Sequence, residues 1–145
     1  MQQPRYGEII SCGGWLRDML LHNPRRRRGV IVGAAEELRC ETEPFAERVA
    51  MQSSPEFEGD APVYVSIDKD VLSKEYARTD WSQGSMTLPQ LLDLLDLLRG
   101  TRWLGVDICG VLTEVKGPSP EDFAVNARTD AALFDKLDEI VKIKI

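Results

Sequence analysis

Three short runs along the chain are apolar without clean alternation with polar residues: 29–33 (GVIVG), 62–67 (PVYVSI) and 102–108 (RWLGVDI). Strands covered on both faces read this way, so the runs predict buried strands of a parallel sheet. Around them lie segments of helical period. Trp15, Leu16, Met19 and Leu20 fall at i, i+1, i+4 and i+5, and Asn23-Pro24 stops the pattern, which predicts a first helix ending near His22. Residues 88–99 form a second, with Thr87 and Gln90 at capping-box spacing and Gly100 placed to end it. Its only polar stripe is Gln90, Asp93, Asp96 and Arg99, which predicts that it is largely buried. A third helix starts at Ser119 as N-cap with Pro120 in the first helical position. It carries Phe123, Ala127, Ala131, Phe134, Leu137 and Val141 along one stripe, the face expected to dock on the sheet. The stretch 36–59 is charged and weakly periodic, with a short helix expected over 44–51.

Strands alternating with helices in this order predict a doubly wound α/β sheet. With 145 residues and 43% hydrophobic content, the chain is long enough for one sizeable core. The expectation is a single α/β domain over 1–145, or the C-terminal part of a larger one. Eighteen basic against 24 acidic residues, a net charge of -6, argue against a general polyanion-binding surface and so against nucleic acid as a partner. The four arginines at 25–28 are the only basic run, and in an acidic chain they read as a solvated loop or a contact to an acidic neighbour. Cys12, Cys40 and Cys109 are odd in number and widely spaced, the usage of reduced intracellular thiols, and no catalysis is assigned to them. With no leader pattern near Met1 and no apolar run of about 20 residues, a cytoplasmic protein without membrane contact is expected.

In open α/β sheets ligands bind beyond the carboxyl ends of the strands, and there the residues are acidic. If the strand continues past Ile67, Asp68 and Asp70 point to the same face and converge on one cation while Lys69 points away. Two carboxylates make a hard site suited to Mg²⁺ or Mn²⁺. The plainer alternative has one aspartate capping the next helical turn and the other solvated. Asp107 either stands behind such a site or caps a loop. The loop around Asp80, Trp81, Ser82, Gln83 and Gly84 either lines a pocket or is anchored by its tryptophan, with anchoring the more usual role.

The run SIDKDVL (66–72) resembles the S-x-D-x-D strand-end motif of the arginase, agmatinase and formiminoglutamase family. In the same order, TDWSQGSMT (79–87), the Leu-rich helix after it and GVDI (105–108) resemble that family's glycine-rich loop, helix and next strand. The last helix, with Asn126, is similar to its C-terminal one. The likeness runs from about Ser11 onward, covers the family's C-terminal half, and is nearest to an uncharacterised arginase-like branch. It implies an arginase/deacetylase-like three-layer parallel sheet, incomplete here. It also implies manganese-dependent hydrolysis of linear C–N bonds in a small-molecule substrate, with Asp68 and Asp70 as manganese ligands. Departures accompany the likeness. The family's His after a glycine-rich turn and its Asp-x-His-x-Asp are absent, and His22 is the only histidine. Ser73 and Lys74 stand where Asp-Pro is usual, and Gly110 where a glutamate meets the substrate's cationic group. The metal site is therefore expected to be incomplete. The alternative is a truncated or degenerate, non-catalytic domain acting by self-association as a homo-oligomer, or by pairing with a partner.

Overall fold

Local signals and pairing partners together decide the elements in the computed structural model, which describes residues 14–23, 28–35, 45–55 and 61–141. The chain divides into two compact units, 1–56 and 57–145.

In the first unit, helix α1 spans Trp15–His22 and ends where predicted, with the Asn23 N–H on the Met19 carbonyl at 3.1 Å. Strand β1 (Gly29–Val32) pairs in parallel with β2 (Val49–Gln52), Gly29 opposite Val49 through Val32 opposite Gln52. The helix expected over 44–51 is thus corrected for the described residues: 45–48 form a turn and 49–52 a strand. The short run Val49-Ala50-Met51 has no helical stripe to bury, and a parallel neighbour satisfies its backbone. Arg48 joins the elements by donating to the Leu20 carbonyl at 2.7 Å and to that of Asn23 at 3.2 Å. Of the arginine run, Arg25, Arg26 and Arg27 lie outside the described residues, as do Cys12 and Cys40.

In the second unit, β3 (Val63–Asp68) runs parallel to β4 (Trp103–Cys109). Val63 faces Trp103 and Tyr64 faces Gly105, so Leu104 is an extra residue, 61% exposed. Helix α2 (Leu88–Asp96) carries both halves of the Thr87/Gln90 capping box but ends three residues earlier than expected, with Leu97 as its C-cap; a turn over 97–100 follows and closes on Gly100 at φ +85°. Helix α3 (Pro120–Ile140) opens on a second capping box, Ser119 with Asp122. Leu91 and Leu95 of α2, Leu133, Leu137 and Ile140 of α3, and Ile67, Leu72 and Ala77 form one buried cluster, with Val65, Val106 and Ile108 packed against it. Each unit is thus α/β with a two-stranded parallel pair. No helix among the described residues is long and apolar enough to cross a membrane.

Two expected faces are corrected. Helix α2 buries one face only: Leu97 is 59% exposed, and Asp93 and Asp96 are exposed as well. On α3 the buried stripe is Val125, Thr129, Leu133, Leu137 and Ile140, whereas Phe123 and Phe134 are 53% and 63% exposed. The helix carries two apolar stripes, and the one with branched aliphatic side chains meets the leucines of α2 and the sheet. Thr129 fits in it because its hydroxyl donates to the Tyr76 carbonyl. Leu133→Ala should therefore cost about 2–5 kcal/mol in denaturant unfolding, while Phe134→Ala costs less than about 0.5 kcal/mol. Equal losses would mean that the helix face is wrongly assigned.

Candidate functional site

Strand β3 ends at Asp68 because the chain turns there. Asp68 is the N-cap of a 3-10 turn, Lys69–Val71, and its Oδ1 accepts the Asp70 N–H at 3.0 Å. Asp68 and Asp70 are therefore neighbours through a cap and not through the pleat of a continuing strand. Lys69 points away from both, as expected, with its Nζ 2.7 Å from Asp130 Oδ1.

Two glycines press on this turn. A Cβ on Gly110, at φ +79°, would lie 2.8 Å from Asp68 Oδ1 and 2.8 Å from the Lys69 nitrogen, so the backbone leaving β4 seats directly on the turn. At Gly84 a Cβ would come within 2.5 Å of the Val71 carbonyl oxygen, and its N–H donates to the Asp70 carbonyl at 2.7 Å. Gln83 completes the loop's attachment by donating to the Leu72 and Ala77 carbonyls at 3.1 and 3.0 Å. The loop is anchored, though not by its tryptophan, since Trp81 is 60% exposed.

Anchoring that loop brings Asp80 toward the strand ends. Its N–H donates to the Val111 carbonyl at 3.3 Å, its Oδ2 accepts the Thr113 N–H at 3.1 Å, and its carbonyl accepts the Lys116 ammonium. The hydrogen bond from the Thr113 side chain, then its backbone N–H and the Lys116 charge, hold the Asp80 carboxyl below the usual carboxylate range against the effect of burial. Asp70 moves the other way. Burial pushes its pKa up, the charges of Asp68 and Asp80 add to the rise, and a Thr79 hydrogen bond opposes it. Both Asp70 Oδ1 and Asp80 Oδ1 are buried without a hydrogen-bond donor. An acceptor in that condition costs about 1–3 kcal/mol and calls for an explanation such as an ion.

Asp107 lies on β4 opposite Ser66, whose hydroxyl donates to its Oδ1 at 2.9 Å. It also hydrogen-bonds Tyr64, which raises the phenol's pKa. Burial, and then the Asp68, Asp107 and Asp70 charges, push the Cys109 thiol up to about 11, so it is not a thiolate at neutral pH. Among the described residues no three His, Cys, Asp or Glu side chains are placed to enclose an ion. The charges of Asp68 and Asp80 both act on Asp70, but with the described residues alone the three do not form an ion-enclosing group. The sequence places Asp80 in a loop that either lines a pocket or is anchored, and nothing local marks its carboxylate as a neighbour of Asp70; the contacts to Val111, Thr113 and Lys116 bring it there.

No family model and no solved structure matches the chain. It is similar to an uncharacterized protein of Thermotoga maritima, at 34% identity over 106 residues. The match covers 73% of this chain and 42% of that relative, so the chain spans less than half the relative's length.

The direction at Asp70 fixes a stability trend. A carboxyl whose folded pKa is raised holds its proton more tightly in the folded state, so its contribution is favourable at low pH and is lost as pH rises through the raised value. Without metal, Asp70→Asn should be more stable than the parent at pH 7 by about 0.5 kcal/mol, a figure reduced for solvent screening. The advantage should vanish as pH falls below the ordinary carboxylate range, which thermal unfolding at a series of pH values measures.

Proposed function

We propose that this chain carries the carboxylate part of a manganese-dependent hydrolase of linear C–N bonds, with Asp68 and Asp70 facing the metal, Asp80 beside them and Asp107 behind. The observation that carries the reading is the pair of buried, donorless oxygens, Asp70 Oδ1 and Asp80 Oδ1, at the carboxyl end of a parallel strand pair. Their all-oxygen chemistry suits a hard divalent cation. A cation held there supplies Lewis acidity toward the substrate's carbonyl or amidine group and toward water.

The chain's own residues hold and orient. Asp68 is fixed by its cap, Asp70 by the turn and the Gly84 N–H, and Asp80 by Thr113 and Lys116. Trp81 and Val111, 60% and 61% exposed, offer apolar contact to a small-molecule substrate on the loops flanking Asp80. Gly110 presents no carboxylate to a cationic group, so the reading is of the C–N hydrolase class and not of an arginase in particular. Three carboxylates do not complete a two-ion site, and His22 sits in the first unit with its Nδ1 3.0 Å from the Asp18 carbonyl. The remaining ligands are assigned to protein beyond the described residues, in an arginase/deacetylase-like three-layer sheet that β3 and β4 help to build. The greater length of the Thermotoga relative supports that assignment.

Calorimetric titration of Mn²⁺ into chelator-stripped protein tests the reading. Binding is expected in the parent, lost in Asp68→Asn/Asp70→Asn, and weakened about tenfold or more in Asp80→Asn. A parent that takes up no Mn²⁺ would remove the metal role from this chain.

A second reading, a non-catalytic domain that self-associates, is favoured by the outer stripe of α3. Ala127 and Ala131, between exposed Phe123 and Phe134, suit close antiparallel packing of a second copy. Sedimentation should show a dimer that Phe123→Ser/Phe134→Ser dissociates, whereas a monomeric parent at high concentration sinks this reading.

A further inference from the structure

Lys69 is the one charged side chain buried among the described residues, at 3% exposure, and it lies in a unit whose core is otherwise aliphatic apart from Thr129. Its ammonium donates to Asp130 Oδ1 at 2.7 Å, joining positions 61 apart in sequence. Apolar replacement of a buried ion pair is often neutral or stabilising, so core stability alone gives no reason for a lysine here. Location gives one. Lys69 is the first residue of the 3-10 turn and lies between the two aspartates that the turn presents. Other contacts of the turn are made to its backbone and to Asp68 by Gly84 and Gly110, to the Val71 carbonyl by the Met86 N–H, and to the Asp70 carboxyl by Thr79. Val71 packs against the cluster that α3 helps to build, while the Lys69 side chain makes the turn's polar contact to α3, where Asp130 follows Thr129, itself bonded to the Tyr76 carbonyl.

We propose that the Lys69–Asp130 pair is a strut that sets the position of the Asp68–Asp70 turn for metal, making both members positioning residues; this rests on the metal-site reading above. Buried at its stem and charged at its tip, the lysine ties the turn to a carboxylate on α3, a tie that a methionine of similar length cannot make. Asp130 is partly exposed, 38% at its side chain, so removal of Lys69 leaves it solvated. Lys69→Met therefore isolates the positioning effect.

Three measurements on the intact chain decide the matter: denaturant stability, hydrogen exchange of the Asp70 amide without metal, and Mn²⁺ affinity by calorimetry. In Lys69→Met, stability should hold near the parent's. The Asp70 amide, donated to Asp68 Oδ1 in the parent, should exchange about tenfold faster and Mn²⁺ should bind about 10–100-fold more weakly. Asp130→Asn keeps an oxygen acceptor for the ammonium and should hold Mn²⁺ affinity within about threefold. Parent-like exchange and affinity in Lys69→Met would overturn the strut. If that variant does not fold, Asp130→Ala takes its place against Asp130→Asn, with the same losses expected in the alanine variant alone. A parent that binds no Mn²⁺ ends the functional reading, and the exchange arm still decides whether the pair fixes the turn.

Discussion

One short polar row on helix α3 holds the second unit's irregular chain in place. Asn126 accepts the Arg78 N–H and donates to the Arg78 carbonyl, both at 2.8 Å; Thr129 donates to the Tyr76 carbonyl; and Asp130 takes the Lys69 ammonium. At i, i+3 and i+4 these side chains share a face. Asn126 and Thr129 satisfy backbone groups, and Asp130 a side-chain charge, of a segment, 69–78, whose only regular element is the short 3-10 turn at its start. Leu72 and Ala77, both 0% exposed, can be buried in that segment because its polar groups are met by α3 and by Gln83.

The same attachment carries the acidic residues to the strand ends. With segment 69–78 fixed, the next loop must close over it, and Gln83 and Gly84 do so with backbone contacts that tolerate no side chain at 84. Gly110 closes from the other side. Asp68, Asp70 and Asp80 are then held near one another at a cost to stability, with two buried oxygens left without donors. Under the proposed metal role, a cation there would turn the repulsion felt by Asp70 into attraction. The bidirectional pKa pattern reflects this: Asp80 is met by Thr113 and Lys116, whereas burial dominates at Asp70.

What could be read from the residues was whatever a few adjacent positions encode. Thr87 with Gln90, Ser119 with Pro120, and Asn23-Pro24 mark helix ends by chemistry that acts within one turn, and the structure places those ends accordingly. The runs beginning near Gly29, Val63 and Trp103 become parallel strands for a similar reason, since β-branched residues in short apolar stretches suit little else. The acidic strand end at Asp68 was visible in the same way. By itself, then, the sequence determined the element types outside 45–52, the parallel pairing they favour and the presence of carboxylates at a strand end.

Long-range competition decided the rest. Residues 49–52 became a strand because β1 offers a partner, and α3 turned Leu133 inward and Phe134 outward because only one of its two stripes complements α2 and the sheet. The Asp68 cap is local and was the plainer of the two readings of the sequence, but the pairing of Lys69 with Asp130 depends on a residue 61 positions away. Asp80 joined the cluster through Thr113 and Lys116, 33 and 36 positions on. Periodicity is blind to such pairings, because the free energy that selects them comes from contacts that exist only once the chain has closed on itself.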